Sequence, residues 1–134
     1  MTSARRPDRL NAALLRAVAV EPRAELRSGR VSIGDRSMPI VVPYLVVASA
    51  DRSQERSRGV VDALGLRVRH SDPDLHRVLG PDPLLERVVF DIAEQFQCEA
   101  LADPALPGIG RNTRAAFERW SDCLLYTSPS PRDS

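Results

Sequence analysis

The chain has 134 residues, 43% hydrophobic, 28% charged and 4% aromatic, which fits one globular domain whose core is mostly aliphatic. Its 19 basic residues are all arginines and, with 18 acidic residues, leave a formal net charge of +1, so we expect no nucleic-acid binding. No apolar run reaches the roughly 20 residues that span a bilayer and the first residues lack the apolar stretch of a signal peptide, so we expect a cytoplasmic protein with no membrane part.

The first part of the chain predicts one helix and a small β-hairpin. Asp8 is a candidate N-cap for a helix that runs to about Val20, because apolar residues recur there at helical spacing. Pro22 follows and ends the helix. Residues 30–33 and 38–42 are β-prone runs on either side of a turn-rich tetrapeptide, which predicts the hairpin.

The middle of the chain predicts a long helix. Residues 44–50 form an apolar run that fits either a buried strand or an extended connector, because periodicity does not separate the two. Asp51 and Gln54 have the spacing of a capping box at the start of a helix over residues 52–69. Its arginines are expected mostly in solvent, and its buried stripe contains Val60, Val61, Leu64 and Val68.

Two glycines interrupt this helix. Gly59 and Gly65 each lower its intrinsic stability by roughly 1 kcal/mol relative to alanine. Such positions are candidates for close contact with another helix.

Two Asp-Pro pairs predict the next helix starts, with aspartate as N-cap and proline at the first helical position. The pair Asp72-Pro73 begins a short helix whose apolar side contains Leu75, Val78 and Leu79. The pair Asp82-Pro83 begins a long helix that runs to about residue 102. This long helix has the clearest apolar periodicity in the chain, and we expect its stripe to be buried: Leu85, Val89, Ile92, Ala93 and Phe96.

The last predicted elements are a loop over residues 103–110 and a helix over residues 111–122. That helix is expected to bury Ala116, Phe117 and Trp120. Together the elements predict a mainly α fold: a bundle of about four to five helices with a small N-terminal β-hairpin.

The final residues, 123–134, read CLLYTSPSPRDS and resemble the translated read-through of a sequencing-library adapter. We therefore expect a truncated natural domain over residues 1–122 and a non-native, disordered tail. A natural flexible Ser/Pro tail is the alternative. If the tail is foreign, Cys98 is the only native cysteine in the chain.

A polar cluster is the main candidate site. Asp91, Glu94, Gln95 and Cys98 follow the spacing i, i+3, i+4 and i+7, which places them on one helix face. Carboxylates there, together with imidazoles, have the chemistry of a divalent-cation site. The bland alternative, which we favour, is a structural polar face on which a histidine hydrogen-bonds a carboxylate. We thus predict no metal, and keep one candidate cluster: His70, His76, Asp91 and Glu94.

Other motifs for chemistry are missing from the sequence. There is no GxxxxGK[ST] motif for nucleotide phosphates and no GxGxxG, since Gly108-Ile109-Gly110 stands alone after a loop. No Ser-His-Asp set follows from the spacing, and Cys98 without a spaced partner is typical of a buried hydrophobe. We predict no catalytic and no cofactor-binding residues.

One set of residues from position 58 onward follows a recognisable order and spacing: Arg58, Gly59, Asp62, Leu66, Arg67, His70, Asp72, Leu75, His76, Phe90, Asp91, Glu94, Gln95, Glu99, Ala100, Pro107, Gly108 and Asn112. In this order and spacing, residues 58–120 resemble the N-terminal region of the cobaltochelatase T subunit. The chain departs from that pattern at residues 96–98, where the family shows small and basic residues, and at Ser71, which splits a His-Asp pair.

The resemblance implies a subunit of an ATP-dependent ligase that inserts cobalt into a corrin ring during cobalamin biosynthesis. In that family an AAA+ ATPase subunit hydrolyses ATP, a large subunit holds the tetrapyrrole, and the T subunit couples them. The family's metal site lies in a C-terminal von Willebrand A domain that this chain does not reach. We expect a noncatalytic adaptor whose partners are those two subunits, with ATP, Mg²⁺ and cobalt on the whole complex and none on this chain.

Two other functions stay open. One is membership of an AAA+/von Willebrand A remodelling pair unrelated to cobalamin. The other is a helical domain that binds a divalent cation through its polar cluster.

Overall fold

A computed structural model describes residues 6–27, 30–45 and 54–127, with side chains over residues 9–27, 30–45 and 58–122. The fold is mainly helical, with a small antiparallel sheet near the N-terminus, which confirms the predicted class. The described elements are α1 Arg6–Ala19, β1 Ala24–Arg27, β2 Arg30–Ile33, β3 Arg36–Ser37, a short 3-10 helix Pro43–Leu45, α2 Gln54–His70, α3 Pro73–Leu79, α4 Leu84–Ala100 and α5 Pro107–Thr127.

The sheet differs from the predicted hairpin. It has three strands in the order β1-β2-β3, and the third strand is Arg36–Ser37 while residues 38–42 form no strand. Gly34 adopts a φ of +60°, so the chain reverses over only two residues and pairs Ile33 with Arg36. The predicted tetrapeptide turn was therefore too long, and β1 was missed.

Helix α2 lies at the centre of the fold. Its predicted stripe is confirmed, because Val60, Val61 and Leu64 are buried and Val68 packs against them. The stripe meets α1, the sheet and α5 in one core whose other buried members are Leu15, Ala24, Val31, Met38, Val42, Tyr44, Leu45, Ala63 and Ala116. Burial of so many aliphatic groups supplies most of the favourable free energy of folding.

Both glycines of α2 mark close helix contacts, as expected. A Cβ at Gly65 would approach the side chain of Val18 to 2.7 Å. A Cβ at Gly59 would overlap the backbone carbonyl of Asn112 and approach Ala116 Cβ to 2.9 Å. The missing side chains let α5 pack closely on α2 at Gly59 and α1 at Gly65.

The contact between α2 and α5 also contains a buried carboxylate. Asp62 is 2% exposed and accepts a hydrogen bond of 2.9 Å from Asn112 Nδ2. Burial raises the pKa of Asp62 above its usual value, while the Asn112 hydrogen bond and the charge of Arg58 act in the opposite direction.

We expect Asp62→Asn to be more stable than the wild type at pH 7 and to lose most of this advantage at about pH 3.5. With a raised pKa the native state holds the proton more tightly than the unfolded chain, so the contribution of Asp62 to stability falls as pH rises. Asparagine keeps an oxygen for Asn112 and carries no charge. Urea unfolding at both pH values measures the effect, and an advantage that is independent of pH would contradict it.

The two Asp-Pro pairs have different outcomes. Asp72 is the N-cap of α3 and accepts from the backbone N–H groups of Asp74 and Leu75, as predicted. Asp82 does not cap α4, whose N-cap is Pro83 with no side-chain hydrogen bond. Arg87, a residue of α4, donates hydrogen bonds to the carbonyl oxygens of Pro81 and Asp82. These bonds, and not an N-cap side chain, stabilise the turn before the helix.

Helix α4 is rotated relative to the prediction. Leu85 is 77% exposed and Val89 60% exposed, and Ala93 is also exposed. Ile92 packs against the core, and Phe96, although 44% exposed, contacts the rings of Tyr44 and Phe117. The buried residues of α4 are polar or weakly polar: Asp91, Gln95 and Cys98. The predicted burial of this apolar stripe was wrong, because the face of α4 that packs against α2 is the polar one.

Helix α5 is longer than expected at both ends. It begins at Pro107, inside the predicted loop, with proline at the first helical position. Ala116 is buried, and Phe117 and Trp120 pack against the core, as predicted. The helix ends at Thr127, so the first residues of the expected disordered tail are helical.

Some predictions fall outside the described residues. These are the cap at Asp51, the run over residues 46–50 and the tail over residues 128–134. Within the described part of the chain, no helix is both long and apolar enough to cross a membrane.

Candidate functional site

The centre of the candidate site is a buried arginine. Arg67 is 1% exposed, and its Nη1 donates to the carbonyl oxygen of Asp91 at 3.2 Å and to Gln95 Oε1 at 3.4 Å. Its Nη2 forms an ion pair with the Asp91 carboxylate. The guanidinium joins the last turns of α2 to the middle of α4. The expectation that the arginines of α2 lie mostly in solvent is wrong at this position.

Asp91 contacts three other segments. Its Oδ1 accepts from Arg67 and lies 3.1 Å from His76 Nε2 on α3, and its Oδ2 accepts from the backbone N–H of Val41. A buried carboxylate is tolerated when a cation and hydrogen-bond donors surround it. This one residue therefore positions α2, α3, α4 and the segment that follows the sheet.

The polar network continues along α4 toward the aromatic core. Gln95 is fully buried and donates to the carbonyl oxygen of Ala63 at 2.9 Å and to Glu99 Oε1 at 3.5 Å. Tyr44 donates to Glu99 Oε2 at 3.3 Å. Burial raises the pKa of Glu99 and also that of Tyr44, where the Glu99 carboxylate adds to the effect.

Tyr44 also connects this network to a cluster of aromatic rings. Its ring centroid lies 5.3 Å from that of Phe117 and 5.7 Å from that of Trp120, and Phe96 lies 5.4 Å from Phe117. Such edge-to-face and tilted pairs stabilise a core beyond their buried area. Tyr44, Phe96, Phe117 and Trp120 thus form one aromatic cluster.

The structure brings together most of the predicted cluster. His76 lies between Asp91 and Glu94, with Nδ1 3.9 Å from Glu94 Oε2, and its ring stacks on Phe90 at a centroid distance of 4.7 Å. Glu94 Oε1 accepts from Ser71 Oγ at 2.8 Å. His70 forms no described contact with the other three side chains, although it lines the same cavity.

That cavity, which we call the α3–α4 cavity, has a volume of about 270 Å³. It opens between the end of α2, α3 and α4. Its described lining residues are His70, Asp72, Leu75, His76, Leu79, Phe90, Glu94, Gln97, Cys98 and Leu101. The wall is apolar on the leucine side, and its charged groups are acidic.

The chemistry of these residues fits a structural network better than a metal centre. Within the described residues, no group of three or more His, Cys, Asp or Glu side chains is arranged to hold a metal ion. Arg67 already neutralises the Asp91 carboxylate. Burial raises the pKa of the Cys98 thiol to about 11, so the thiolate that binds metals or attacks substrates is scarce at neutral pH.

Sequence reasoning missed three members of the network: Arg67, Gln95 as a buried bridge, and Tyr44. A signal existed for Arg67, because it lies seven residues after Val60 and so falls on the same helix stripe as the core valines and leucine. No comparable signal pointed to Tyr44, whose partner Glu99 is distant in sequence.

Comparison with known protein families supplies the last observation. A family model described as cobalamin biosynthesis protein CobT matches residues 8–122, a range that contains the whole buried network and the α3–α4 cavity. Comparisons with curated proteins and with solved structures found no significant match. The match extends over most of the chain. The chain therefore belongs to the CobT family and has a role in cobalamin biosynthesis.

Proposed function

We propose that this chain is a noncatalytic docking module of a cobaltochelatase T-like subunit. In this proposal it binds the AAA+ ATPase subunit, and ATP hydrolysis and cobalt insertion into the corrin ring take place with that subunit and the large tetrapyrrole-binding subunit. The absence of a nucleotide-phosphate motif in the sequence and the protonated, buried Cys98 both favour a role without chemistry of its own.

The observation that carries the proposal is the outward apolar stripe of α4. Leu85, Val89 and Ala93 are exposed and follow i, i+4 and i+8, so they lie along one side of the helix. Phe96, at i+11, is 44% exposed and continues this side toward the aromatic cluster. Soluble monomers rarely leave a large contiguous apolar patch in water. Apolar residues at this helical spacing are the anchors with which a helix binds the groove of another protein.

The other side of α4 makes this stripe rigid. Asp91 and Gln95 are held by Arg67 and by the backbone of α2, so the helix is fixed before it meets a partner. A preorganised surface loses little conformational entropy on binding. The same network thus stabilises the fold and orients the proposed docking surface.

Membership of the CobT family favours this function over a remodelling pair unrelated to cobalamin. The divalent-cation function lacks a supporting arrangement, because no described group of His, Cys, Asp and Glu side chains is placed for a metal ion. Docking to the chelatase subunits is therefore the function that we propose.

We expect Leu85→Glu and Val89→Glu each to weaken binding to the AAA+ subunit at least tenfold, which corresponds to about 1.4 kcal/mol. A charge placed in an apolar interface is desolvated without a partner. The fold should tolerate both changes, because substitutions at exposed sites usually alter stability by no more than about 0.5 kcal/mol. Biolayer interferometry with the immobilised AAA+ subunit measures the affinities.

The matched control is Leu10→Glu, an exposed leucine on α1 that lies outside the stripe. This variant should bind like the wild type. Wild-type protein that does not bind the AAA+ subunit, or equal weakening by all three variants, would contradict the proposal.

A further inference from the structure

The ring hydrogen of His76 determines what the α3–α4 cavity offers to a ligand. Arg67 Nη2 lies 3.3 Å from His76 Nε2, and a guanidinium can only donate. Nε2 is therefore the acceptor, and the ring hydrogen is on Nδ1. A second proton on the ring would bind at Nε2 and leave Nδ1 a donor. His76 is only 8% exposed, yet Nδ1 has no hydrogen-bond partner among the described residues, which is unusual for a buried polar atom.

Glu94 places an acceptor beside this donor. Its Oε1 accepts from Ser71 Oγ, whereas its Oε2 lies 3.9 Å from His76 Nδ1. This distance is too long for a direct hydrogen bond. Both side chains line the α3–α4 cavity. The cavity therefore contains a donor and an acceptor that lie side by side and are not bonded to each other.

The spacing of this pair favours a ligand with two polar atoms. A single oxygen placed about 2.9 Å from both Nδ1 and Oε2 would have to bond them at an angle of about 85°, which is sharp for a hydroxyl or a water. A carboxamide has its oxygen and nitrogen about 2.2 Å apart, given bonds of about 1.23 and 1.33 Å, so its oxygen can face Nδ1 while its nitrogen faces Oε2. In a trans peptide the N–H and the C=O point to opposite sides. A primary carboxamide has one N–H on the side of its oxygen and can make both hydrogen bonds.

Charge disfavours the other classes of ligand. The described lining contains the carboxylates of Asp72 and Glu94 and no arginine, so it repels a carboxylate or a phosphate. An ammonium or a guanidinium can only donate and would leave the Nδ1 hydrogen unpaired. A carboxamide is neutral and has both a donor and an acceptor. Burial lowers the pKa of His70, so its neutral ring can accept the second N–H at Nε2, which is buried and unpartnered within the described chain.

The apolar wall fits the rest of such a ligand. Leu75, Leu79, Phe90 and Leu101 line the cavity, and they offer a surface to an aliphatic stem. The volume of about 270 Å³ leaves room for a carboxamide on a short carbon chain. The polar pair and the apolar wall thus suit the two ends of one ligand.

We propose that the α3–α4 cavity binds a primary carboxamide, with His76 Nδ1 donating to its oxygen and Glu94 Oε2 accepting from its nitrogen. The group belongs either to a small molecule or to an Asn or Gln side chain of the AAA+ partner. Glu94 lies on a different side of α4 from the outward apolar stripe. The site therefore goes beyond the proposed docking function and does not depend on it.

The first experiment titrates the full chain with three small probes and follows it by ¹H–¹⁵N NMR. Propionamide should give saturable shifts at the amides of α3 and the middle of α4. N-Methylpropionamide keeps the carbonyl but has no N–H on the side of its oxygen, and propionate is anionic, so each should bind at least tenfold more weakly. The added methyl group increases the apolar surface, so a cavity that acts only through its apolar wall would instead prefer N-methylpropionamide.

One pair of variants tests the acceptor. Glu94→Met keeps a long side chain but removes the carboxylate, so it should weaken propionamide at least tenfold. Glu86→Met changes an exposed carboxylate on the same helix and should have no effect. The comparison of the three probes uses the wild type alone, so it decides the question even if Glu94→Met does not fold. No shift of cavity resonances with propionamide, or equal binding of propionamide and N-methylpropionamide, overturns the inference.

The second experiment identifies the source of the carboxamide by measuring binding to the AAA+ subunit with and without saturating propionamide. If an Asn or Gln side chain of that subunit fills the cavity, propionamide should weaken its binding at least tenfold, and N-methylpropionamide at the same concentration should not. An unchanged affinity assigns the cavity to a small-molecule carboxamide. Failure of the wild type to bind the AAA+ subunit overturns the docking function alone, because the NMR titration does not use that subunit.

Discussion

Replacing Arg67 with methionine is expected to lower the free energy of unfolding by about 3–5 kcal/mol, because it leaves the buried Asp91 carboxylate without its cation. The ion pair has side chains only 1% and 2% exposed, so water does not replace the lost partner. Methionine is long, flexible and apolar, which keeps the loss of packing small. Urea unfolding followed by circular dichroism measures the change.

Two further variants separate the ion pair from other effects. Arg69→Met changes an exposed arginine on the same helix and should alter stability by no more than about 0.5 kcal/mol. The double variant Arg67→Met, Asp91→Asn removes both charges of this pair and should recover a large part of the loss. If Arg67→Met costs no more than Arg69→Met, Asp91 does not depend on the guanidinium.

The orientation of α4 follows from the same energetics. Burying an apolar side chain contributes about 1.5–3 kcal/mol, and α4 leaves Leu85 and Val89 largely in water. Turning those residues inward would remove Asp91 and Gln95 from Arg67, and an unpaired buried charge costs several kcal/mol. The apolar periodicity of α4 therefore predicted a helix correctly but not the side that faces the core.

Local signals in the sequence predicted what depends on local chemistry. Asp72 and Pro73 form a cap that needs only neighbouring residues, and the apolar stripe around Val61 identifies the buried face of α2. The spacing of Asp91 and Gln95 correctly placed them on one face of α4. These features are set within a turn or two of helix, so a single sequence is enough to find them.

Features that depend on distant residues were not predictable in this way. The helix stripe indicates that Arg67 is buried, but no local pattern shows that its partner is Asp91, 24 positions later. The short strand β3 is defined by its pairing with β2 and has no apolar pattern of its own. The α3–α4 cavity likewise exists only once α3 packs on α4, which no local pattern describes.

The close packing of α2 on α5 leads to the second large effect. Gly59→Ala is expected to lower the free energy of unfolding by about 2 kcal/mol: an overpacking cost of up to about 3 kcal/mol, offset by roughly 1 kcal/mol of helix propensity. The added Cβ would overlap the backbone carbonyl of Asn112. Backbone of a packed helix cannot rotate away as a side chain does, so α5 must shift. Urea unfolding measures the loss.

Two other glycines test this steric explanation. Gly65→Ala meets Cβ and Cγ1 of Val18 at 2.7 Å. A rotamer change moves Cγ1 but not Cβ, so α1 must shift. This overlap is smaller than the one with the Asn112 carbonyl, so the loss should be smaller than that of Gly59→Ala. Gly110→Ala on α5 meets nothing within 4 Å and should raise stability by about 0.4–1 kcal/mol through the reduced entropy of the unfolded chain. The expected order of stability is therefore Gly110→Ala, wild type, Gly65→Ala, Gly59→Ala. A Gly59→Ala protein as stable as the Gly110→Ala protein would mean that α5 does not lie against α2 at this distance.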